Sequence, residues 1–267
     1  KLYAYPSTAD NGYFMYYDKS VLTEEDVKSL DTMLAAADAA GKKIFMDVSN
    51  GWYIASFFLG AGGTLTVGDD GKQVCDFNSE NGVKAGEAIK AFTAHNAFLT
   101  GDDAVLTGGI GTTIAAGVSG TWNAASISDK LGENYAATKL PTFDLGGTQT
   151  QMSSFAGFKL VGVNSQTANP VAAMTLAEWL TNEENQIKRF ETRQMGPSNI
   201  NAANSEEVKA NVALAALAEQ NQHAVSQKEV LGGYWGPAEA FGTAMEAKDY
   251  TKTVKELLDE MVAQIQG

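Results

Sequence analysis

The sequence predicts an α/β fold, and three observations support this prediction. First, strand-like and amphipathic helical segments alternate through the first half of the chain. Second, apolar residues such as Leu214, Leu217, Met261 and Ile265 recur at helical spacing in the last sixty or so residues, which predicts a mostly helical end. Third, 44% hydrophobic and 19% charged residues are typical of a globular chain, and 267 residues are enough for one large or two small domains.

The predicted elements of the first half follow from capping, strand and turn signals. Thr23 and Asp26 resemble a capping box that opens a helix, and Gly41 is placed to end it. The run 44–46 is typical of a buried strand, and two β-type runs on either side of the turn 68–71 indicate a hairpin. The predicted elements, in order, are a helix at 23–41, a strand at 42–48, an apolar segment at 52–59, a hairpin at 64–77, a helix at 79–95, a glycine-rich loop at 101–111, a strand at 112–118, a short helix ending near 131 and a strand at 135–140.

The second half begins with a change of pattern. The polar, glycine-rich segment 146–154 is predicted to be a crossover between lobes, and 158–163 a strand. Asn169 before Pro170 predicts an N-cap followed by proline at the first helical position, and Thr181 is predicted to cap the next helix. From position 208 the chain is predicted to be mostly helical.

Composition argues against several function classes. A net charge of −13 disfavours nucleic-acid binding, which normally needs a basic surface. Only one cysteine, Cys75, is present, so neither an intrachain disulfide nor a cysteine metal cluster can form. No apolar run reaches the roughly 18 residues of a membrane helix.

Signals for catalysis or cofactors are weak. The string GIGTTI at 109–114 begins like a dinucleotide fingerprint but has isoleucine at the third glycine position, so we predict no cofactor. His95 and His223 each stand alone, which favours surface or capping roles and predicts no metal site. The acid pairs 69–70 and 102–103 are consistent either with calcium ligands or with solvated turns.

Three tryptophans lie beside glycines at predicted junctions of loop and helix. They are Trp52, preceded by Asn50 and followed by Tyr53, then Trp122, and Trp235, preceded by Tyr234. An aromatic face next to permissive backbone can stack on the apolar C–H face of a sugar ring. The alternative is that these rings fill the core.

A polar cluster near the start of the chain offers complementary groups. Asp10 and Asn11 provide a carboxylate and an amide, and Tyr13 leads a tyrosine-rich run. These groups suit sugar hydroxyls, whereas the alternative is a turn followed by an edge strand.

Several segments together resemble the extracellular solute-binding proteins of bacterial ABC importers, in particular the maltose/maltodextrin-binding branch. The resembling segments span most of the chain and are YPSTADNGYFMYYDK at 5–19, WYIASFFLGAGG at 52–63, SGTW at 119–122, LPTF at 140–143, FKLVGVN at 158–164, AEWLTNEEN at 177–185 and YW at 234–235.

The resemblance implies a periplasmic-binding-protein-like (type II) fold, in which two α/β lobes close on a sugar. By position, Asp10 matches an acid that bonds sugar hydroxyls, and Trp52, Trp122 and Trp235 match ring-stacking aromatics. The remaining ligand-binding residues are implied by their position or adjacency and are Asn11, Tyr13, Asn50, Tyr53 and Tyr234. Asn50 and Gly236 depart from the family pattern, which leaves the preferred chain length of the sugar open.

The resemblance also implies a domain arrangement. Residues 11–154 and 212–267 would form the C-terminal lobe, and 157–211 part of the N-terminal lobe. The family's first segment, of about a hundred residues, the size of a small domain, has no counterpart in this sequence. We therefore expect an uncovered apolar helix face, with the result that this portion either packs abnormally or pairs with another copy of the chain.

The predicted function is binding of maltodextrin-type oligosaccharides for uptake, with no catalysis. The predicted partners are the oligosaccharide and the membrane permease of an ABC importer, and the predicted location is extracellular, as a lipoprotein or in the periplasm. Two alternatives are a glycoside-active enzyme with an aromatic-lined cleft, which would need a pair of facing carboxylates, and a purely structural domain.

Overall fold

The computed structural model describes residues 3–267, so Lys1 and Leu2 of the sequence lie outside the described residues. It is a mixed α/β fold of twelve helices and twelve strands within that range. The helices are α1 Leu30–Ala39, α2 Gly51–Gly60, α3 Glu80–Ala94, α4 Asp103–Gly109, α5 Ala124–Leu131, α6 Pro170–Thr181, α7 Glu183–Arg193, α8 Ile200–Ala203, α9 Glu206–Lys209, α10 Val212–Asn221, α11 Trp235–Glu246 and α12 Val254–Gln266. The strands are β1 Tyr5–Gly12, β2 Phe14–Asp18, β3 Lys43–Phe45, β4 Leu65–Val67, β5 Gln73–Cys75, β6 Phe98–Leu99, β7 Ile114–Ser119, β8 Tyr135–Thr138, β9 Thr142–Asp144, β10 Gln149–Gln151, β11 Phe155–Val161 and β12 Val225–Ser226.

A five-stranded sheet in the order β6-β3-β7-β2-β8 is the main scaffold. Strand β3 runs parallel to β6 and β7, whereas β2 runs antiparallel to β7 and β8. All five residues of β2 are buried, with Met15 and Tyr17 in one hydrophobic cluster and Phe14 and Tyr16 in a second. Because successive strand side chains point to opposite faces, this sheet is covered on both sides, which explains the nearly continuous apolar run in the sequence.

A second sheet joins segments that are far apart in the sequence. Strand β1 pairs antiparallel with β11, which pairs in parallel with β12. The β1 register shifts twice, between Pro6 and Thr8 and between Thr8 and Asn11. Helix α6 packs against β1 and β11, while α10 packs against β2 and β8 of the main sheet. Of the helices that follow β11, α6 therefore packs on the three-stranded sheet and α10 on the main sheet.

The structure confirms three predicted elements. The hairpin predicted at 64–77 is β4–β5, the helix predicted at 79–95 is α3, and the helix predicted to start at Pro170 is α6. The segment 146–154, predicted as a crossover, instead contributes β10 to a two-stranded hairpin with β9, and β11 is the strand that leaves this region. Polar turn residues are typical of both structures, which is why composition alone did not distinguish them.

One predicted loop contains a helix, and two helices start at other residues than the sequence predicted. The glycine-rich segment 101–111 contains α4, because the Asp102 side chain accepts hydrogen bonds from two backbone N–H groups of its first turn. Thr23 and Asp26 do bond reciprocally, but they form a turn, and α1 starts later with Ser29 as its N-cap. Asn182, not Thr181, caps α7.

Large apolar side chains of α6 and β11 are open to solvent. In α6, Val171, Leu176 and Trp179 are 72%, 55% and 57% exposed, and in β11 Phe158 and Leu160 are also exposed. Helix α6 carries a single charged residue along its length.

In residues 3–267 no helix is both long and apolar enough to cross a membrane.

Candidate functional site

The site is built around the first turn of α2. The Asn50 side chain caps this helix by accepting a hydrogen bond from the Trp52 backbone N–H at 3.0 Å. Nearly all of α2 is buried, but Trp52 is only half-buried. The cap therefore fixes where the one partly exposed indole of an otherwise buried helix is placed.

Two buried tyrosines hold the same turn from different sides. The Tyr13 hydroxyl donates to the Trp52 carbonyl oxygen at 2.6 Å, and the Tyr234 hydroxyl donates to the Gly51 carbonyl oxygen at 2.8 Å. Burial raises the pKa of both phenols, so the hydroxyls stay protonated and can donate. Both side chains are 0% exposed, so they present no surface to a ligand. The sequence named Tyr13 and Tyr234 as ligand contacts, whereas the structure places them beneath the turn as supports.

Trp52 lies at the centre of an aromatic cluster. Its ring centroid is 4.6 Å from that of Tyr13, 5.4 Å from that of Tyr53 and 5.9 Å from that of Trp122. Its indole N–H donates to Gln227 Oε1 at 2.9 Å. Tyr53 is itself buried, and burial, together with the nearby charge of Asp103, raises the pKa of its hydroxyl. Trp52 is thus held by rings and by one hydrogen bond.

Trp122 is the most exposed ring of this cluster, at 37%. It lies in the short 3-10 turn that follows β7, and its plane is tilted by 36° from that of Trp52. Its indole N–H donates to Asp103 Oδ2 at 3.0 Å, and Lys159 Nζ lies 5.6 Å from the ring centroid. The pair Trp52 and Trp122 is therefore an aromatic surface with a carboxylate at the indole N–H of Trp122 and an ammonium group over the Trp122 ring.

Asp10 lies next to this surface, on β1. Its Oδ2 accepts hydrogen bonds from Thr121 Oγ1 at 2.8 Å and from the Gly196 backbone N–H at 2.7 Å. The side chain is buried, and its other oxygen, Oδ1, has no hydrogen-bond partner in the described part of the chain. The sequence named Asp10 as a ligand contact, but at 1% exposure it presents no surface to a ligand and instead joins Thr121 to Gly196. Asn11, the next residue, is half-buried beside Gly157.

Trp235 lies in a separate aromatic group. Within residues 3–267 its ring contacts are with Tyr234 at 5.0 Å and Phe155 at 6.3 Å. The sequence predicted three indoles along one groove, and the structure brings only two of them into ring contact. Trp235 and Asn50 instead share a shallow depression of about 360 Å³, whose six lining residues are Asp47, Ser49, Asn50, Gly51, Trp235 and Glu239.

Three polar side chains at the site were not among the predicted site residues. Asp103 belongs to an acid pair for which the sequence favoured a solvated turn over calcium ligands. Among the described residues, no group of three or more metal-ligating side chains is present. Gln227 and Lys159 lie 175 and 37 positions from the tryptophans they approach. Their adjacency results from tertiary packing and leaves no local signal in the sequence.

A family described as "Bacterial extracellular solute-binding protein" matches residues 1–216. A solved chain in complex with acarbose is 32% identical and superposes with a TM-score of 0.89, covering 99% of this chain and 70% of that one. The maltodextrin-binding protein MalE1 from L. casei BL23, solved without ligand, is 27% identical, with a TM-score of 0.84 and coverage of 100% and 72%.

More distant structures share the fold. The maltotriose-binding protein of Thermus thermophilus, bound with maltotriose, is 18% identical, with a TM-score of 0.78 and coverage of 98% of this chain and 71% of that one. No curated protein sequence matches significantly. The periplasmic-binding-protein-like fold expected from the sequence is therefore confirmed.

Proposed function

Because the chain belongs to the bacterial extracellular solute-binding protein family, we propose that it binds maltodextrin-type oligosaccharides for uptake by an ABC importer. Two relatives above 25% identity support this ligand class, since one is solved with acarbose and the other is a maltodextrin-binding protein. Family membership also favours an extracellular location and a membrane permease as partner.

The observation that carries the proposal is the adjacency of Trp52 and Trp122, with ring centroids 5.9 Å apart and one ring well exposed. The C–H face of a pyranose is apolar and stacks on such rings, while its hydroxyls need acceptors and donors. The exposed Asp103 carboxylate and Lys159 Nζ supply one of each beside Trp122. We assign Trp52 and Trp122 to direct contact, Asn11, Asn50 and Trp235 to the flanks, and the buried Asp10, Tyr13, Tyr53 and Tyr234 to support.

The proposed mechanism is capture by closure of two lobes. Residues 11–154 and 212–267 form one lobe in this proposal, and 157–211 belong to the other. Strands β1 and β11 pair with each other and lie at the proposed lobe boundaries near 11 and 154–157, so this pairing suits a hinge. A ligand that contacts both sides of the hinge favours the closed state by the difference in its affinity for the two states.

Titration with maltotetraose tests this function. We expect saturable quenching of tryptophan fluorescence and no new reducing ends, because the site is built to bind and not to hydrolyse. Cellotetraose, which has the same four glucose units in β-linkage, serves as the matched control and should bind at least tenfold more weakly. Release of reducing ends would support a glycoside-active enzyme instead, and no quenching by any oligosaccharide would support a structural role.

We also propose that a second copy of the chain covers the apolar face of α6 and β11. Five large apolar side chains are exposed there, and α6 carries a single charge, so association of this face would bury few charged groups. Sedimentation velocity is expected to show a dimer at micromolar concentration, and the double variant Leu176→Glu with Trp179→Glu is expected to be monomeric. Val74→Glu, at an apolar residue 41% exposed in the β4–β5 hairpin, should leave the dimer intact. A monomer at all concentrations would refute this proposal.

A further inference from the structure

We propose that Asp103 and Gly120 are positioning residues, which set the orientation of the Trp122 indole before ligand arrives. This inference rests on the proposed function for its effect on sugar affinity, but not for its effect on the indole itself.

The turn that carries Trp122 is held by its neighbours. The Gly120 carbonyl oxygen accepts a hydrogen bond from the buried Tyr16 hydroxyl at 2.9 Å. Thr121 donates to Asp10, and the Asn123 side-chain amide donates to Ser119 Oγ at 2.9 Å. The backbone on both sides of Trp122 is therefore fixed, so the remaining freedom lies in the rotation of its side chain.

Gly120 permits the observed orientation of the indole because it has no side chain. A Cβ at this position would lie 2.0 Å from Cζ3, 2.3 Å from Cη2 and 2.6 Å from Cε3 of Trp122. The benzene half of the indole thus lies directly against the glycine backbone. The Gly120 φ of −113° is open to any residue, so the requirement for glycine is steric.

Asp103 fixes the other end of the ring. Its Oδ2 accepts the indole N–H at 3.0 Å, while its Oδ1 lies 3.4 Å from Ser119 Oγ. The preceding Asp102 already satisfies the first turn of α4 by accepting from the N–H groups of Ala104 and Val105. The helix cap is therefore complete without Asp103, whose carboxylate remains free for the indole.

The consequence is a pre-oriented stacking surface. A side chain that is ordered before binding loses less conformational freedom on binding, so the same contact gives a higher affinity. A charge-assisted hydrogen bond holds one end of the Trp122 indole, and steric contact holds the other end. The ring is therefore restricted to one position beside Trp52.

A double-mutant cycle between Asp103 and Trp122 tests the positioning role. Asp103→Ala is expected to weaken maltotetraose binding about three- to tenfold by isothermal titration. In the Trp122→Phe background, which lacks the indole N–H, the same replacement should change affinity by less than about twofold. Asp103→Asn keeps a carbonyl acceptor and should recover part of the loss. Asp129→Ala, at an exposed carboxylate in α5, is the matched control.

Gly120→Ala tests the steric part. We expect at least a tenfold loss of affinity for this variant. Gly108→Ala, at a helical glycine, is the control. No heavy atom lies within 4 Å of the position that its new methyl group would take, so this variant should bind like the unmodified chain. If Gly120→Ala fails to fold, the Asp103 cycle still decides.

A ligand-free measurement separates this inference from the proposed function. Exchange of the Trp122 indole proton with solvent, followed by NMR, is expected to accelerate in Asp103→Ala and to stay unchanged in Asp129→Ala. Equal affinity losses in both backgrounds of the cycle, or unchanged indole exchange, would overturn the positioning role. If the unmodified chain binds no maltotetraose, the proposed function fails, and indole exchange alone decides the positioning of Trp122.

Discussion

Replacing Trp122 with alanine is expected to weaken maltotetraose binding by about ten- to a hundredfold, because the variant loses a stacked ring worth roughly 1.5–3 kcal/mol. The ring is 37% exposed and contributes little to the core, so the melting temperature should change by only a few degrees. Trp52→Ala is expected to lose as much affinity and more stability, because its indole packs on the core and bonds Gln227. Isothermal titration and thermal unfolding measure the two effects.

Trp179 provides the matched control for both variants. It is 57% exposed on α6, outside the aromatic cluster, so Trp179→Ala should leave the affinity for maltotetraose unchanged. Equal losses in Trp122→Ala and Trp179→Ala would point to a general effect on the fold and not to a stacking site.

Gly242→Ala is expected to destabilise the fold by about 3 kcal/mol, near the upper end for an overpacked core position. A Cβ on this α11 residue would lie 2.1 Å from the Val48 carbonyl oxygen and 2.8 Å from the Ser49 Cα. Backbone atoms cannot rotate away, so α11 must separate from the segment that leads into α2. Glu246, one turn later, accepts a hydrogen bond from the Ser49 N–H at 2.8 Å, and the same separation would stretch it. Urea unfolding measures the loss.

Gly236→Ala is the control within the same helix. No heavy atom lies within 4 Å of the place where its methyl group would sit, so the replacement should be neutral or raise the stability slightly. If both variants were equally stable, the close approach of α11 to the start of α2 would not hold in solution.

Much of the fold could be predicted because its signals are local. The Asn169-Pro170 pair marks the start of α6, and the glycine turn of the β4–β5 hairpin lies between two β-type runs. The errors also have local causes. Asp102 caps α4 inside a glycine-rich segment, where glycine frequency suggested a loop, and the β9–β10 hairpin has the polar composition of a linker.

The site was harder to predict because it depends on distant contacts. Tryptophans beside glycines, together with the family resemblance, were sufficient to identify Trp52 and Trp122 as candidates. That Tyr13 and Tyr234 are buried supports follows from hydrogen bonds to carbonyls 39 and 183 positions away, which no periodicity reveals. The placement of Trp235 in a separate ring cluster likewise depends on how α11 packs against α2.

The central claim is that Trp52 and Trp122 together form the surface that receives the sugar. The most direct test is to label the four tryptophan indoles of the chain with ¹⁵N and to titrate the chain with maltotetraose. We predict that the indole signals of Trp52 and Trp122 shift with one common midpoint while that of Trp179 stays in place. Saturable binding that leaves the signals of Trp52 and Trp122 unmoved would contradict the claim.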